Sequence, residues 1–553
     1  MPAWAGQPQW RILEIGFGAG EHFLAAWRDW KDDPRRPRIL HFVALTEQPV
    51  TAARLLETAQ PSLQPLAETL VRQWRGLLPG VHRMAFESGH VLLTLCVGET
   101  ERMLRQLDFH ANTVLLPGDA AIHLKALARC CRRGTTIAVH DAQPALRLAL
   151  ERHGFALGPI ESGQLQGECA PAWEPRGATP KDTVVPGDCI VIGAGLAGAA
   201  VAASMARRGW NVQVLDAAAA PASGASGLPA GLLVPHSSPD DNLLSRLSRD
   251  GVRATLQQAR ALLEPGRDFE ASGVLERHLE GPPALIEGTD TEAGVWTRPA
   301  TADQKGVAGL APDAAASWHE MAAWIRPAAL VHAWLAQPGV QVQCNADVRR
   351  LTHGPEGWSA LDGAGRQLAR GALVVIAAAM GSESLVDGLT LQAVRGQVTW
   401  GLQGSVGGLP LFPVNGDGSF IPGVPMDAGT AWVCGASFSR GDVDLGPREA
   451  DQIENLARLR RLLPGVASAL DTGADKPRAW TGIRCASLDR RPLVGPVRGD
   501  GADGLWLSTA MGSRGLTFAA LAGELIAARI HGEPLPMGRK LAAALVPARV
   551  RSR

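Results

Sequence analysis

Three glycines and an aspartate near the middle of the chain carry the pattern with the clearest chemistry. Gly193, Gly195 and Gly198 form G-x-G-x-x-G after the apolar run CIVI, and Asp216 follows a second apolar run, NVQVL. Such glycines permit a tight turn, close approach of backbone to a pyrophosphate, and close helix–strand packing. The following helix would offer N–H groups to phosphates, and Asp216 could accept hydrogen bonds from ribose hydroxyls. The pattern predicts a dinucleotide site without choosing between FAD and NAD.

A second pattern of acid and glycines lies near the start of the chain, and it consists of Glu14, Gly16, Gly18 and Gly20. This arrangement is typical of an S-adenosylmethionine site, where a glycine turn lets the methionine end approach the backbone. Glu47 closes the run HFVALT, where a ribose-binding acid belongs. Glu99 follows VLLTLCVG, where an acid meets the adenine amino group. Each acid alone would be an ordinary solvated carboxylate at a strand end, but together they favour this site.

The elements around both patterns alternate between strands and helices. Five apolar runs between residues 11 and 160 are separated by helix-like stretches, which indicates a parallel sheet with crossover helices: RILEIG, HFVALTE, VLLTLCVGE, NTVLLPG and TTIAVHD. We predict an α/β chain with a class I, Rossmann-like methyltransferase domain followed by a Rossmann-type dinucleotide-binding domain. The predicted limits are 1–162 for the first domain, 163–187 for a linker, 188–540 for the second domain and 541–553 for a basic tail.

Composition limits the classes of function. The chain has 553 residues, a formal net charge of zero and 46% apolar residues, so two or three globular domains are expected. With no net positive charge, any nucleic-acid site must be a local patch. None of the eight cysteines forms C-x-x-C and no histidines cluster, so we predict no metal. The start lacks a signal peptide, and the uncharged stretch 189–206 fits a strand–turn–helix better than a membrane span. We expect a cytoplasmic monomer.

The choice of FAD comes from three motifs. The stretches 222–236 (ASGASGLPAGLLVPH), 481–496 (TGIRCASLDRRPLVGP) and 504–536 occur in this order. They resemble segments of the superfamily of D-amino-acid oxidase, glycine oxidase and sarcosine oxidase. The resemblance implies a Rossmann-type FAD domain built from segments at 188–235, about 326–385 and 480–540, with a mainly antiparallel substrate domain interleaved between them. It also implies a loop and helix start that face the isoalloxazine ring. It adds six cofactor-binding candidates: Ala225, Ser226, Gly512, Ser513, Gly515 and Leu516.

In enzymes of this superfamily, an arginine usually holds the substrate carboxylate, because the planar guanidinium matches it with two hydrogen bonds. By motif, Arg484 is the candidate for this role. Arg514 is the second candidate, on the substrate or near the flavin pyrimidine. The alternative for either residue is an ordinary surface ion pair.

The two halves together resemble one family, the bacterial bifunctional enzymes that modify the wobble uridine of tRNA. The resemblance rests on motifs that include GASGLPAG, VRGQVTW and MGSRGL. It implies that the flavin half removes a carboxymethyl group from carboxymethylaminomethyl-uridine, and that the first half methylates the exposed amine with S-adenosylmethionine. tRNA would then be the partner, and the basic groups Arg132–Arg133, Arg349–Arg350, 458–461, Arg490–Arg491 and the carboxy-terminal tail could contact phosphates.

The resemblance has two departures, both in the first half. Only ten residues precede Arg11, where the family has a substantial stretch. The family's Asp-Gly-Phe segment after the fourth strand is missing, and Asp119 is the residue that could replace its aspartate. Two other hypotheses stay open: a free glycine or sarcosine oxidase with a vestigial first half, and a non-catalytic scaffold that binds tRNA and S-adenosylmethionine.

Overall fold

A computed structural model describes residues 4–118, 124–161, 163–171, 184–281, 285, 291–404, 406–471, 476–499 and 503–550. The chain forms two compact units, Met1–Val185 with Ala527–Ala543, and Pro186–Ile526 with Ala544–Arg553. In the described part of the chain, no helix is both long and apolar enough to cross a membrane.

The first unit is built on an eight-stranded sheet with the order β3-β4-β2-β1-β5-β6-β8-β7. Its strands are Gln9–Ile15 (β1), Ile39–Thr46 (β2), Gly80–Phe86 (β3), Val91–Val97 (β4), Thr113–Pro117 (β5), Thr136–His140 (β6), Phe155–Glu161 (β7) and Gln164–Cys169 (β8). Its helices are Glu21–Asp32 (α1), Ala52–Thr58 (α2), Gln64–Val71 (α3), Thr100–Leu104 (α4), Leu124–Ala128 (α5) and Pro144–Arg152 (α6). Buried side chains cover both faces of this sheet, as parallel sheets require.

The five predicted strands of the first unit are β1, β2, β4, β5 and β6, and they pair in parallel. The antiparallel strands β3, β7 and β8 were not predicted, and β8 lies in the segment expected to be linker. The sheet therefore continues beyond residue 162.

The described strands of the second unit form four sheets, of six, nine, three and three strands. Its strands are Asp188–Ile192 (β9), Asn211–Leu215 (β10), Gly231–Leu233 (β11), Phe269–Glu270 (β12), Val274–Arg277 (β13), Arg298–Pro299 (β14), Ala316–His319 (β15), Ala323–Ile325 (β16), Val340–Gln343 (β17), Arg350–Gly354 (β18), Gly357–Leu361 (β19), Gln367–Gly371 (β20), Leu373–Ile376 (β21), Gln392–Leu402 (β22), Val414–Gly416 (β23), Gly418–Met426 (β24), Gly429–Gly435 (β25), Ser439–Arg440 (β26), Arg478–Ala486 (β27), Leu493–Pro496 (β28) and Leu505–Thr509 (β29). Its helices are Leu196–Arg207 (α7), Leu243–Leu262 (α8), Thr291–Trp296 (α9), Ala302–Val307 (α10), Pro327–Leu335 (α11), Glu449–Leu462 (α12), Pro464–Asp471 (α13) and Gly515–His531 (α14). The last residues of α14, from Ala527, and helix Arg539–Ala543 (α15) belong to the first unit.

A mainly parallel sheet with the order β17-β10-β9-β21-β29-β28 forms the cofactor layer of this unit. A nine-stranded, largely antiparallel sheet is built from β13–β15 and β22–β27. This is the predicted combination of a Rossmann-type sheet and an interleaved antiparallel domain. One detail differs: β27, expected in the flavin-binding part, pairs along its whole length with β22 of the antiparallel sheet.

Residues 544–550 do not form a separate tail. Leu545 is buried, its carbonyl accepts a hydrogen bond from the Val494 N–H, and Arg549 pairs with Asp489. The expected tail is therefore wrong up to residue 550, because these residues extend the edge of the cofactor sheet at β28. The predicted limit at residue 162 is also wrong, because β8 belongs to the sheet of the first unit. The start of the second domain at residue 188 remains a prediction.

Helices α7 and α14 are joined beneath the cofactor sheet by a buried carboxylate. Glu524 accepts hydrogen bonds from Ser204, Arg207 and Arg208 at 2.7–3.1 Å. Burial would raise the pKa of Glu524, but the two arginines and the hydrogen bonds lower it to about 2.

We expect Glu524→Gln to destabilise this unit by about 3–5 kcal/mol at pH 7, because it leaves two arginines without their buried partner. The pKa of Glu524 is depressed in the folded state. The contribution of Glu524 to the free energy of unfolding is therefore present above the ordinary glutamate pKa, and it is lost as the pH falls towards about 2. Urea unfolding followed by flavin fluorescence measures the loss of stability.

Glu454→Gln, which removes an exposed partner of Arg458, is the control and should lower the free energy of unfolding by less than about 1 kcal/mol. Equal midpoints for the two variants would contradict the assignment.

Candidate functional site

The G-x-G-x-x-G segment forms the turn between β9 and α7 in the second unit. Gly193 has φ of 108°, and a Cβ there would lie 2.5 Å from the Ala377 carbonyl oxygen. A Cβ on Gly198 would lie 1.8 Å from the Gly193 carbonyl oxygen, so helix and turn touch only because this residue lacks a side chain. The prediction of a tight turn with close packing is confirmed at these two positions.

Helix α7 begins beside the second predicted flavin loop. The Leu196 N–H donates to the Ser226 hydroxyl at 3.0 Å, and a Cβ on Gly195 would approach that hydroxyl to 3.1 Å. The hydroxyl keeps its own proton, so Ser226 can donate to a phosphate placed at this helix start. Ser226 and its neighbour Ala225 lie on a short 3-10 turn at Ala225–Gly227.

Asp216 closes β10 at the opposite side of the same turn. One carboxylate oxygen accepts the Ala194 N–H at 2.6 Å, and the other accepts the Ala218 N–H at 2.8 Å. These bonds fix the carboxylate, and each oxygen retains a lone pair for a ribose hydroxyl. The residues thus fit the adenosine end of FAD.

A cleft of about 840 Å³ begins at this turn, a volume typical of cofactor sites. Most of the predicted flavin-binding residues line it: Gly193, Gly195, Asp216, Ala225, Ser226, Gly512, Ser513, Gly515 and Leu516. Gly198 lies behind the turn instead, and Arg514 lines a smaller neighbouring cavity. Gly512 has φ of 58° and donates its N–H to the Cys485 carbonyl, which connects the closing loop to β27.

Arg484 projects from β27 into the cleft. Burial lowers the pKa of its guanidinium, and no hydrogen bond or ion pair to that group is found among the described residues. A desolvated arginine without a counter-charge is a binding site for an anionic group of a ligand. Arg484 is therefore well placed for the predicted role of holding a carboxylate.

Gly396 provides the space for Arg484, a feature that the sequence analysis missed. Strands β22 and β27 pair with Val394 opposite Arg484 and Gly396 opposite Gly482. A Cβ on Gly396 would lie 2.5–2.6 Å from three guanidinium atoms. The segment VRGQVTW contributed to the family resemblance, but only the register of the two strands reveals this contact.

We expect Gly396→Ala to displace the guanidinium and lower kcat/KM for the amine substrate by about 10- to 100-fold, since misplacement by about 1 Å costs this much. FAD content should be unchanged. Anaerobic flavin reduction by stopped flow measures the effect. Gly354→Ala, where a Cβ meets nothing within 4 Å, is the control. Unchanged kcat/KM in Gly396→Ala would contradict the proposed placement.

The glycine turn of the first unit follows β1. Gly16, Gly18 and Gly20 all have positive φ, between 54° and 83°, a conformation that only glycine adopts freely. Phe17 between them stacks on Trp74, with ring centroids 5.4 Å apart. The turn therefore presents bare backbone at the carboxyl edge of the sheet, which fits the methionine end of S-adenosylmethionine.

The acids of the first unit differ in environment. Glu14 is buried and contacts the His22 Nδ1 at 2.5 Å. Burial raises the pKa of Glu14, and the hydrogen bond to Glu14 raises the pKa of His22. Glu47 is exposed at the end of β2. The Glu99 carboxylate caps α4 by accepting the N–H groups of Glu101 and Arg102, one on each oxygen, and its contact with adenine remains a prediction. Asp119 lies outside the described residues.

Most of the basic groups have acidic neighbours. Ion pairs join Arg349 to Asp347, Arg458 to Glu454, Arg460 to Asp471, Arg461 to Asp417, and both Arg491 and Arg549 to Asp489. These pairs reduce the charge that the groups present to phosphates. Among the described residues, no group of three or more potential ligands could hold a metal ion.

The cleft, its glycine turn and the two sheets define an FAD-dependent oxidoreductase. The family model of FAD-dependent oxidoreductases (DAO) matches residues 188–529. Over nearly its full length, the chain belongs to the family of tRNA 5-methylaminomethyl-2-thiouridine biosynthesis bifunctional proteins.

Two relatives and one solved structure illustrate this. The protein of that name (MnmC) from Polaromonas naphthalenivorans (strain CJ2) is 50% identical, covering 99% of this chain and 91% of the relative. Its counterpart from Delftia acidovorans (strain DSM 14801 / SPH-1) is 47% identical, covering 99% and 92%. Glycine oxidase from Bacillus cereus ATCC 14579 is similar in structure, with a TM-score of 0.51 and 21% sequence identity. The match covers 62% of this chain and 95% of the oxidase, and at this identity it supports the fold alone.

Proposed function

We propose that this chain modifies the wobble uridine of tRNA in two steps. The second unit removes the carboxymethyl group from 5-carboxymethylaminomethyl-(2-thio)uridine, and the first methylates the resulting amine with S-adenosylmethionine. The family membership supports the substrate. The observation that carries the oxidative step is the unpaired Arg484 guanidinium in a cleft whose glycine turn and Asp216 fit FAD.

The substrate side chain is a glycine unit whose nitrogen is attached to the nucleoside. Arg484 holds its carboxylate and thereby fixes the adjacent CH₂ group in the cleft. FAD held in this cleft would supply the acceptor for a hydride from that carbon. The nitrogen loses its proton, and a C=N bond forms in the substrate. Water then adds to this carbon and the C–N bond breaks, which releases glyoxylate and leaves a primary amine on the nucleoside.

In the first unit, the turn with Gly16, Gly18 and Gly20 would position S-adenosylmethionine. Glu14 lies on β1, and Glu47 directly follows β2. Bound S-adenosylmethionine would supply the methyl group. The neutral amine would take this methyl group as the S–CH₃ bond breaks, S-adenosylhomocysteine would leave, and the ammonium product would lose a proton. We propose Asp119 as the residue of this chain that replaces the family's aspartate. A cytoplasmic location and the monomeric state also remain part of this proposal.

Nucleoside mass spectrometry tests both steps. tRNA that bears the carboxymethylaminomethyl group is incubated with the FAD-loaded chain, with and without S-adenosylmethionine. We expect the aminomethyl form without the methyl donor and the methylaminomethyl form with it. Accumulation of the amine despite the methyl donor would refute only the role of the first unit. Untouched tRNA would refute the oxidative assignment.

A further inference from the structure

A second cavity, of about 430 Å³, adjoins the cofactor cleft in the second unit. The two share Leu232, Asn415 and Ser513 as lining residues. Side chains from β13, β15, β23 and the start of α14 surround the second cavity, so it lies between the antiparallel sheet and the loop that closes the flavin site. None of the roles assigned so far requires it.

A carboxylate with a fixed orientation lines this cavity. One oxygen of Glu276 lies 2.8 Å from the buried His319 Nε2, and the other lies 3.4 Å from the Asn415 amide nitrogen. The His319 Nδ1 lies 3.1 Å from both the Trp296 carbonyl oxygen and the Thr297 hydroxyl. Contacts at both ring nitrogens therefore fix the orientation of His319, and Glu276 is held against it.

Glu276 is ionised at neutral pH. Burial would raise its pKa, but the hydrogen bond from His319 and the charges of His319 and His278 lower it below the ordinary value. The side chain is 30% exposed, so it can still accept a hydrogen bond from a ligand in the cavity.

Donors surround this acceptor. The Asn415 amide touches Glu276, and Arg514 lines the same cavity. Burial lowers the pKa of Arg514, and its guanidinium has no hydrogen bond or ion pair with the described residues. His236 also lines the cavity, and burial together with the charge of Arg514 lowers its pKa, which favours the neutral imidazole. The cavity therefore offers one anionic acceptor alongside at least two donors.

The anionic acceptor and the donors of this cavity complement the hydrogen-bonding groups on one edge of a pyrimidine. Uracil and 2-thiouracil present an N3–H donor flanked by two acceptors, and enzymes that act on a nucleobase read this edge in a pocket. We propose that the cavity binds the pyrimidine ring of the modified uridine, with Glu276 accepting the N3–H and Asn415 and Arg514 donating to the flanking atoms. This inference rests on the proposed function and adds the residues that select the nucleoside. An oxidase of free glycine would need no such acceptor.

Binding of small nucleosides to the FAD-loaded full chain tests the inference. The probes are uridine and 3-methyluridine, which lacks the N3–H, and the readout is inhibition of turnover of 5-carboxymethylaminomethyl-uridine. We expect uridine to compete and 3-methyluridine to compete about 10- to 100-fold more weakly, since a buried acceptor without its donor costs about 1–3 kcal/mol. Equal inhibition by the two probes, or none by uridine, would overturn the inference without involving any variant.

Glu276→Gln provides the second arm, because it keeps the shape and removes the anionic acceptor. We expect kcat/KM for the carboxymethylaminomethyl nucleoside to fall about 10- to 100-fold, while turnover of sarcosine changes less than about twofold. Glu454→Gln is the exposed control. An equal loss with both substrates, or no loss with the nucleoside, would overturn the inference. Failure of the proposed function looks different: the wild-type chain would oxidise sarcosine and leave the tRNA untouched.

Discussion

Replacing Gly198 by alanine is expected to give a folded chain that no longer retains FAD. The new Cβ would lie 1.8 Å from the Gly193 carbonyl oxygen and 3.3 Å from Val191. Because the carbonyl is backbone, the clash can be relieved only if α7 moves away from the turn. The N–H groups at the start of α7 and the Gly195 backbone then no longer face the pyrophosphate together. We expect the FAD dissociation constant to rise at least about 100-fold, which corresponds to roughly 3 kcal/mol.

Flavin content after purification and titration of the apoprotein with FAD measure this effect. Gly187→Ala is the matched control, because Gly187 precedes the same strand and a Cβ there meets nothing within 4 Å. Circular dichroism shows whether the Gly198 variant is folded. A yellow Gly198→Ala protein with wild-type affinity for FAD would contradict the assigned turn.

The second large effect is expected from Arg484→Ala. The guanidinium is the unpaired cation of the cleft, and the substrate carboxylate would lose both of its hydrogen bonds in a site of low polarity. Loss of one partner of such a pair costs about 2–5 kcal/mol, so kcat/KM should fall by roughly 30- to 5,000-fold. Arg484→Lys should recover only part of this loss, because an ammonium cannot match both carboxylate oxygens. FAD content should not change in either variant.

Anaerobic flavin reduction by the carboxymethylaminomethyl nucleoside is the measurement, with Arg440→Ala as the control. Arg440 is exposed on β26 of the same antiparallel sheet. Normal reduction of the flavin in Arg484→Ala would remove this residue from the carboxylate site and leave Arg514 as the remaining candidate.

Sequence patterns predicted the parts of the site that are local. Gly193, Gly198 and Asp216 lie within one strand–turn–helix–strand segment, so their order along the chain already fixes their geometry. The alternation of elements likewise predicted the five parallel strands of the first unit. The antiparallel strand β8 was assigned to a linker instead, because QLQGEC carries too few apolar residues for its pattern to indicate a strand.

The parts that depend on tertiary contacts could not be read from the sequence. Gly396 and Arg484 lie on strands that are about ninety residues apart, and only their register makes the glycine necessary. Glu276 and His319 also meet across a strand pair, with no local motif at either position. Glu99 also caps α4, a structural role that the sequence pattern did not indicate.

The central claim is that the flavin unit acts on a glycine unit attached to tRNA rather than on a free amino acid. Its most direct test compares kcat/KM of the wild-type, FAD-loaded chain for three substrates: tRNA with 5-carboxymethylaminomethyl-2-thiouridine, glycine and sarcosine. We expect the tRNA to be preferred by at least about 100-fold, with one glyoxylate released per aminomethyl nucleoside formed. Oxidation of glycine or sarcosine with no reaction of the tRNA would contradict the account.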